Sequence, residues 1–296
     1  GAYRGIHYSA EPCFVIDTAF YLKPKTCFDM RWAYYQLLTQ DINGMDSGSA
    51  IPSTSRDDFY QLLVDLPSWD EQKKIAKILS DLDEKIELNQ QMNKTLESIA
   101  QALFKRWFVE FEFPGHEKTK FVNGLPEEWE IKLISDVVEF AYGKALKEDI
   151  RQLGKVPVYG SNGQVGWHNE ALVKGPGIVI GRKGNPGIVT WASTDFFPID
   201  TTFYVIPRDS QLSIYYLFQV LSLTDLASLG ADSAVPGLNR NIAYKSEILI
   251  PSMEVIKQFD GIAKPLSDQI YTNDQEASIL GRIRDSLLPR LMSGKM

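Results

Sequence analysis

The chain has 296 residues, of which 44% are apolar, 23% charged and 11% aromatic, so it can bury a sizeable core in two modest domains, or in one domain with a long helical element, and is neither disordered nor collagen-like. A net charge of −7 argues against coating nucleic acid by bulk attraction, so any DNA binding has to be local. No apolar run approaches the roughly 20 residues of a bilayer span, and two cysteines, Cys13 and Cys27, without a basic-then-apolar leader argue for a reducing cytoplasm rather than a disulfide framework.

Residues 1–66 read as a first module through an internal repeat. Ile16-Asp17-Thr18-Ala19-Phe20-Tyr21 matches Ile199-Asp200-Thr201-Thr202-Phe203-Tyr204, five identities in six at an offset of 183. Ser49-Ala50-Ile51-Pro52 with Arg56 and Tyr60 then matches Ser233-Ala234-Val235-Pro236 with Arg240 and Tyr244, and Leu66-Pro67-Ser68 matches Ile250-Pro251-Ser252, at an offset of 184. Gly1 aligns with Gly184, so the 59 residues equivalent to Leu125–Lys183 have no counterpart here. The expectation is a first module represented by its C-terminal part. A longer parent chain and completion by another polypeptide are both open.

Residues 67–113 carry the first long helix. Asp70–Phe111 holds no Pro or Gly, and Ile75, Leu82, Asn89, Leu96 and Leu103 recur at seven-residue steps, apolar except at the central Asn. Eight acidic and seven basic residues leave it near neutral, a spacer or interaction helix rather than a phosphate tracker. Residues 114–124, polar and poorly periodic, read as a linker.

A second module follows at 125–250, net −3, yet Lys144–Lys183 alone carries seven basic residues against three acidic ones. That window is rich in loops: Tyr142-Gly143-Lys144, Tyr159-Gly160-Ser161-Asn162-Gly163 and Gly181-Arg182-Lys183-Gly184-Asn185. Gly permits close backbone approach, and Ser, Asn, Arg and Lys supply donors for phosphates and base edges; the same clusters also serve as plain turns. Arg182 has a competing structural reading, an ion pair with Asp195 or Asp200. Residues 251–296 repeat the helix with Phe259, Leu266, Asn273, Leu280 and Leu287, where Gly261 and Pro265 are expected to weaken the first turns and Pro289 to end or kink it. Asn89 and Asn273 sit at the midpoints of their heptad runs, so antiparallel pairing brings them together as a register device; a solvent-facing Asn in each helix is the alternative.

Catalytic motifs are missing where they would be visible. There is no Walker A ending, the single Asn-Pro, Asn185-Pro186, lacks the Pro-aromatic sequel of adenine methyltransferases, and Glu71-Gln72-Lys73 and Glu130-Ile131-Lys132 lack an upstream Asp of nuclease type. His7, His116 and His168 are too scattered for a zinc cluster and read as surface or loop residues.

Taken together, Leu66-Pro67-Ser68-Trp69-Asp70-Glu71-Gln72, Phe104-Lys105-Arg106-Trp107-Phe108-Val109, Leu125-Pro126-Glu127-Glu128-Trp129, Pro157-Val158-Tyr159-Gly160-Ser161-Asn162-Gly163, Gly181-Arg182-Lys183-Gly184 and Leu287-Leu288-Pro289-Arg290-Leu291 resemble the DNA specificity subunit of type I restriction-modification systems, over essentially the whole chain. The resemblance implies an α+β protein with globular α/β target-recognition modules separated by two long helices forming an antiparallel coiled coil. It implies recognition of a bipartite double-stranded DNA target, binding of two methyltransferase subunits, and recruitment of motor-nuclease subunits. S-adenosylmethionine, ATP and magnesium then belong to those partners, and this chain is non-catalytic and holds no cofactor of its own. The residues expected at DNA are Lys144, Lys147, Ser161, Asn162, Arg182, Lys183, Asn185, Asn239 and Arg240 in the second module, and Arg4 and Arg56 in the first. A coiled-coil scaffold without DNA recognition, a subunit unable to read the first half-site, and a self-contained restriction enzyme stay open as alternatives.

Overall fold

A computed structural model describes residues 5–42, 45, 56–230 and 237–294. They form two compact units, one of residues 1–92 with 272–296 and one of residues 93–271. Each unit therefore contains part of both long helices.

In the first unit, α1 (Met30–Leu38) starts at Asp29, whose carboxylate accepts from the backbone N–H groups of Arg31 and Trp32. A short α2 (Arg56–Tyr60) follows. The long helix α3 (Trp69–Phe108) opens with a reciprocal cap: the Ser68 N–H and hydroxyl donate to the Glu71 carboxylate at 2.9 and 2.7 Å, and the Glu71 N–H returns a bond to Ser68 Oγ. These bonds hold the Glu71 carboxyl below its ordinary range. Trp32 and Ala33 of α1 pack on Ala76, and Tyr35 packs on Leu79 and Leu291. The Tyr35 hydroxyl donates to Asp83 at 2.6 Å, and Arg284 donates to the other oxygen of Asp83 at 2.7 Å. A tyrosine of α1, a carboxylate of α3 and a guanidinium of the last helix are thereby tied into one network.

The two forty-residue helices, each about 60 Å long at 1.5 Å per residue, run antiparallel in both units. In the first unit Asp83 meets Arg284, and Asn89, which is only 1% exposed, donates from Nδ2 to the Asn273 carbonyl at 3.3 Å and to Glu276 at 2.8 Å. In the second unit Asn93 donates to the Ile270 carbonyl at 3.3 Å, and Phe104 lies against Phe259. Neither Asn89 nor Asn273 faces solvent. Contrary to the sequence expectation, the last helix, Met253–Met292, runs unbroken through Gly261, Pro265 and Pro289. Burial of Val255, Ile256, Phe259 and Ala263 outweighs the missing amide bond at Pro265.

The second unit holds the sheets. The stretch expected as a linker, residues 114–124, supplies the first strand and the turn of a hairpin, β1 (Phe121–Val122) and β2 (Leu125–Pro126), whose two-residue turn Asn123-Gly124 has both residues at positive φ, 53° and 83°. Then come β3 (Glu130–Leu133), α4 (Ile134–Val137), β4 (Val138–Tyr142), β5 (Val156–Gly160), β6 (Gly163–His168), β7 (Gly177–Gly181), β8 (Val189–Ala192), β9 (Phe197–Pro198) and β10 (Thr202–Pro207). The unit is completed by α5 (Ile214–Leu223), α6 (Arg240–Ala243), β11 (Glu247–Ile250) and the start of α7 (Met253–Met292). The main sheet has the order β4-β10-β7-β8, all antiparallel, with β10 paired on both edges. β5 pairs antiparallel with β6 and parallel with β9, and β3 pairs with β11.

β7 is buried along its whole length because both faces are covered. Ile178 and Ile180 enter the main core with Phe140, Phe203 and Tyr216, while Val179 joins Tyr159, Ala192 and Phe196. Phe104, Trp107 and Phe108 at the end of α3 enter the main core too, where Phe108 meets Tyr216 and Phe259 edge-on. His168, expected at the surface or in a loop, is buried at the end of β6; its Nδ1 accepts the Gln152 N–H at 3.1 Å, a structural role. Among the described residues no helix is long and apolar enough to cross a membrane.

Candidate nucleic-acid interface

Three chain segments distant in sequence converge at one end of the main sheet. Tyr142 closes β4 and pairs with Phe203 on β10. β7 ends at Gly181, and the next two residues, Arg182 and Lys183, both donate their backbone N–H to the Thr201 carbonyl, at 2.9 and 3.1 Å. The third segment is held by a bridge between Lys183 and Gly237 and by the Leu238 N–H donating to the Arg182 carbonyl at 2.8 Å. Asn239 then caps α6, its Oδ1 accepting from the N–H groups of Asn241 and Ile242, and Arg240 is the first residue of that helix.

The result is a cleft of about 390 Å³ lined by Tyr142, Arg182, Lys183, Phe203, Leu238, Asn239, Arg240 and Asn241. Two guanidinium groups lie over the same ring: Arg182 is 5.1 Å and Arg240 4.9 Å from the Tyr142 centroid, within cation–π range. Arg182 also lies 5.9 Å from the Phe203 ring, and Arg240 5.8 Å from that of Tyr244. Each guanidinium has five N–H donors. Arg182 donates one to the Asp200 backbone carbonyl at 2.8 Å, and Arg240 one to the Phe140 carbonyl at 3.4 Å. The Nε of each is buried without a partner, so the stack on Tyr142 holds two arginines that the protein itself satisfies only in part. The ion pair of Arg182 with Asp195 or Asp200, the competing structural reading, does not form: Asp200 offers its backbone oxygen, and the Asp195 carboxylate accepts the Gly175 N–H.

Glycine is required at two points beside the cleft. A Cβ on Gly181 would lie 2.2 Å from the Asn185 carbonyl oxygen, across the tight loop that presents Arg182 and Lys183. A Cβ on Gly143 would lie 2.1 Å from the Ile199 oxygen, where the Lys144 backbone runs against Pro198 and Ile199.

Of the residues expected at DNA, Arg182, Lys183, Asn239 and Arg240 are thus brought into one cleft. Ser161, Asn162 and Asn185 sit in adjoining loops and are engaged within the protein. The Ser161 hydroxyl donates to Thr201 O at 2.7 Å, and Asn185 donates to Asn162 Oδ1. Lys144 and Lys147 are exposed but do not line the cleft. Arg56, in the other unit, lies 5.0 Å over the Phe20 ring. Arg4, Ser49–Pro52 and Ser233–Pro236 lie outside the described residues. Tyr142, Phe203 and Asn241 were not singled out as site residues from sequence, although Tyr142 heads a Gly-Lys loop and Phe203 belongs to the repeated hexapeptide. Among the described residues no cluster of three His, Cys, Asp or Glu side chains suited to a metal ion occurs.

A family model described as "Type I restriction modification DNA specificity domain" matches residues 5–98 and 126–283. The chain is 25% identical over 305 residues to the type I restriction enzyme MjaIX specificity subunit of Methanocaldococcus jannaschii, covering 92% of this chain and 70% of that one. It is 26% identical over 352 residues to the HindI specificity subunit of Haemophilus influenzae, covering 89% and 74%. The fold is similar to the crystal structure of a type I restriction-modification S subunit from M. genitalium, with a TM-score of 0.65, 22% identity, and 89% and 72% of the two chains covered.

Proposed function

Because the chain belongs to the type I restriction-modification DNA specificity family, we propose that its second module reads DNA through the cleft around Tyr142. The observation that carries this reading is the pair of guanidinium groups, Arg182 and Arg240, on one aromatic ring beside Lys183 and Asn241, in a chain whose net charge is −7. An acidic protein that binds duplex has to concentrate its cations locally, and the aromatic stack orients two planar donors suited to guanine edges or phosphates. Ser161, Asn162, Asn185 and Asn239 act in this reading by holding the loops, and Lys144 and Lys147 supply flanking positive charge.

The family and the motif pattern support a reading of the wider assembly. The chain reads one half of a bipartite target with this module, binds two methyltransferase subunits along its helices, and joins motor-nuclease subunits through them, in the cytoplasm. The absence of Walker A and Asn/Asp-Pro-Pro-aromatic sequences supports a non-catalytic role, with S-adenosylmethionine, ATP and magnesium held by the partners. The test is the affinity of the methyltransferase complex for cognate and scrambled duplexes across a salt series, with Arg182→Ala, Lys183→Ala and Arg240→Ala made singly. A base-reading arginine costs about 1–3 kcal/mol for cognate DNA alone, whereas a phosphate contact weakens all sequences and lowers the salt slope by about one unit. Unchanged affinity, specificity and slope in all three variants would overturn the assignment.

A further inference from the structure

Arg182 and Arg240 share the Tyr142 ring but are mounted differently. Arg182 follows β7 directly, whereas Arg240 opens α6 and reaches the sheet across its free edge. That edge is β4, which among the described strands pairs with β10 alone. In an antiparallel edge strand alternate residues turn both N–H and C=O away from the neighbour, where those groups need another partner. At Phe140 two side chains one helical turn apart supply it: the Phe140 N–H donates to the Tyr244 hydroxyl oxygen at 2.8 Å, and the Phe140 carbonyl accepts from Arg240 Nη1 at 3.4 Å. The Tyr244 N–H in turn donates to the Arg240 carbonyl at 2.9 Å. The Tyr244 ring lies 5.4 Å from the ring of Phe140, which is fully buried, and the Arg240 guanidinium is within cation–π range of both Tyr244 and Tyr142. With Nε buried and one Nη1 hydrogen turned to the strand, the remaining Nη donors of Arg240 are left for the cleft. Tyr244 itself is not among the residues that line the cleft.

We propose that Tyr244 is a positioning residue for base reading by the second module: its hydroxyl ties α6 to the outer edge of β4, and that tie fixes where the Arg240 guanidinium points. The proposal rests on the DNA reading of the Tyr142 cleft. The 3.4 Å contact of Arg240 with the Phe140 carbonyl is at the long limit of a hydrogen bond and does not hold the side chain by itself. The shorter bond to Tyr244 sets the separation of helix and strand on which that contact and the stack on Tyr142 both depend. Without the hydroxyl, the Phe140 N–H loses its acceptor and α6 loses its hold on the strand. A bidentate contact with a base edge needs the planar fork at one angle, whereas a phosphate contact tolerates a shift, so the loss falls on specificity more than on affinity. The same spacing recurs in the repeat as Arg56 and Tyr60, so the ring accompanies the guanidinium in both copies.

The experiment measures binding of the assembled methyltransferase complex to the duplex motif that the parent complex methylates, and to duplexes substituted one base pair at a time through it. The chains compared are the parent, Arg240→Ala, Tyr244→Phe, the double variant, and Ser213→Ala, which removes a helix cap elsewhere in the same module. Arg240→Ala is expected to relax discrimination at one base pair. Tyr244→Phe is expected to lower discrimination at that same base pair about tenfold and at no other, and to add nothing to Arg240→Ala in the double variant. Ser213→Ala is expected to lower the unfolding temperature while keeping full discrimination, which separates aim from stability. Full discrimination in Tyr244→Phe, an effect additive with Arg240→Ala, or the same relaxation in Ser213→Ala overturns the positioning role and leaves the cleft reading in place. Arg240→Ala that weakens all duplexes alike makes Arg240 a phosphate contact and overturns the role of Tyr244 in base reading. Unchanged binding in Arg240→Ala overturns the part of Arg240 in the cleft reading and the positioning role together.

Discussion

Asn89→Ala is the sharpest test of how the helix pair is held. Asn89 is almost completely buried, accepts from Lys85 Nζ at 3.0 Å, and donates at 2.8 Å to Glu276 and at 3.3 Å to the Asn273 carbonyl. A typical hydrogen bond contributes about 1 kcal/mol net. The bond to Asn273 is long and contributes less than that, and the Lys85 and Glu276 side chains are close to half exposed and can return to water, so their share is discounted. With the small void left by truncation, the loss is about 2 kcal/mol. Opening of the helix pair around Lys85–Asn93 should then become about 30-fold more frequent, read as faster amide exchange in that segment. Asn89→Leu, which fills the site with an apolar side chain of similar size, is expected to recover most of the stability while loosening register, visible as altered cross-linking between cysteines placed along the two helices. Unchanged exchange in Asn89→Ala, or a larger loss in Asn89→Leu than in Asn89→Ala, would refute the reasoning.

Other outcomes follow from single contacts. Gly181→Ala drives a Cβ into the Asn185 carbonyl and should cost about 2 kcal/mol or more in thermal unfolding while displacing Arg182, so DNA affinity falls with stability. Burial pushes the Asp260 carboxyl above its ordinary value, against the bond it accepts from Ser213. A raised folded value favours folding at low pH, and that contribution is lost as pH rises through it. Asp260→Asn should therefore be more stable than the parent chain at pH 7, with the gap closing below about pH 4, as denaturant titrations at the two pH values will show. Ser213→Ala removes both the α5 cap, which accepts from Tyr215 and Tyr216, and the bond to Asp260, and should cost about 1 kcal/mol below about pH 4 and more at pH 7, where the carboxylate favoured by that bond is ionised. The purified chain alone is expected to show no methyl transfer, ATP hydrolysis or DNA cleavage; turnover abolished by a point substitution within it would contradict a non-catalytic role.

The long helices were legible because a seven-residue apolar period without Pro or Gly leaves few alternatives, and the repeat offset carried the same reading into a helix that contains two prolines. The midpoint position of Asn89 and its approach to Asn273 came from that period; its side-chain partners did not, since Glu276 and Lys85 fall outside the repeat symmetry. Arg182 and Lys183 stood out through their flanking glycines. Tyr142, Phe203 and Asn241 did not, because the cleft is assembled from the ends of β4 and β7 and the start of α6, segments that only the sheet order brings together. The Asn123-Gly124 hairpin was missed for a different reason: strands of two residues show no period, and the turn dipeptide was the single available sign.

Base reading by the Tyr142 cleft is the central claim about this protein. The most direct measurement is methylome sequencing of cells co-expressing the chain with its methyltransferase subunit, comparing the parent sequence with Arg182→Ala and Arg240→Ala. Relaxation at one or more bases of one half of the methylated motif, with the other half unchanged, is the predicted result. A methylated motif identical in all three strains would contradict it.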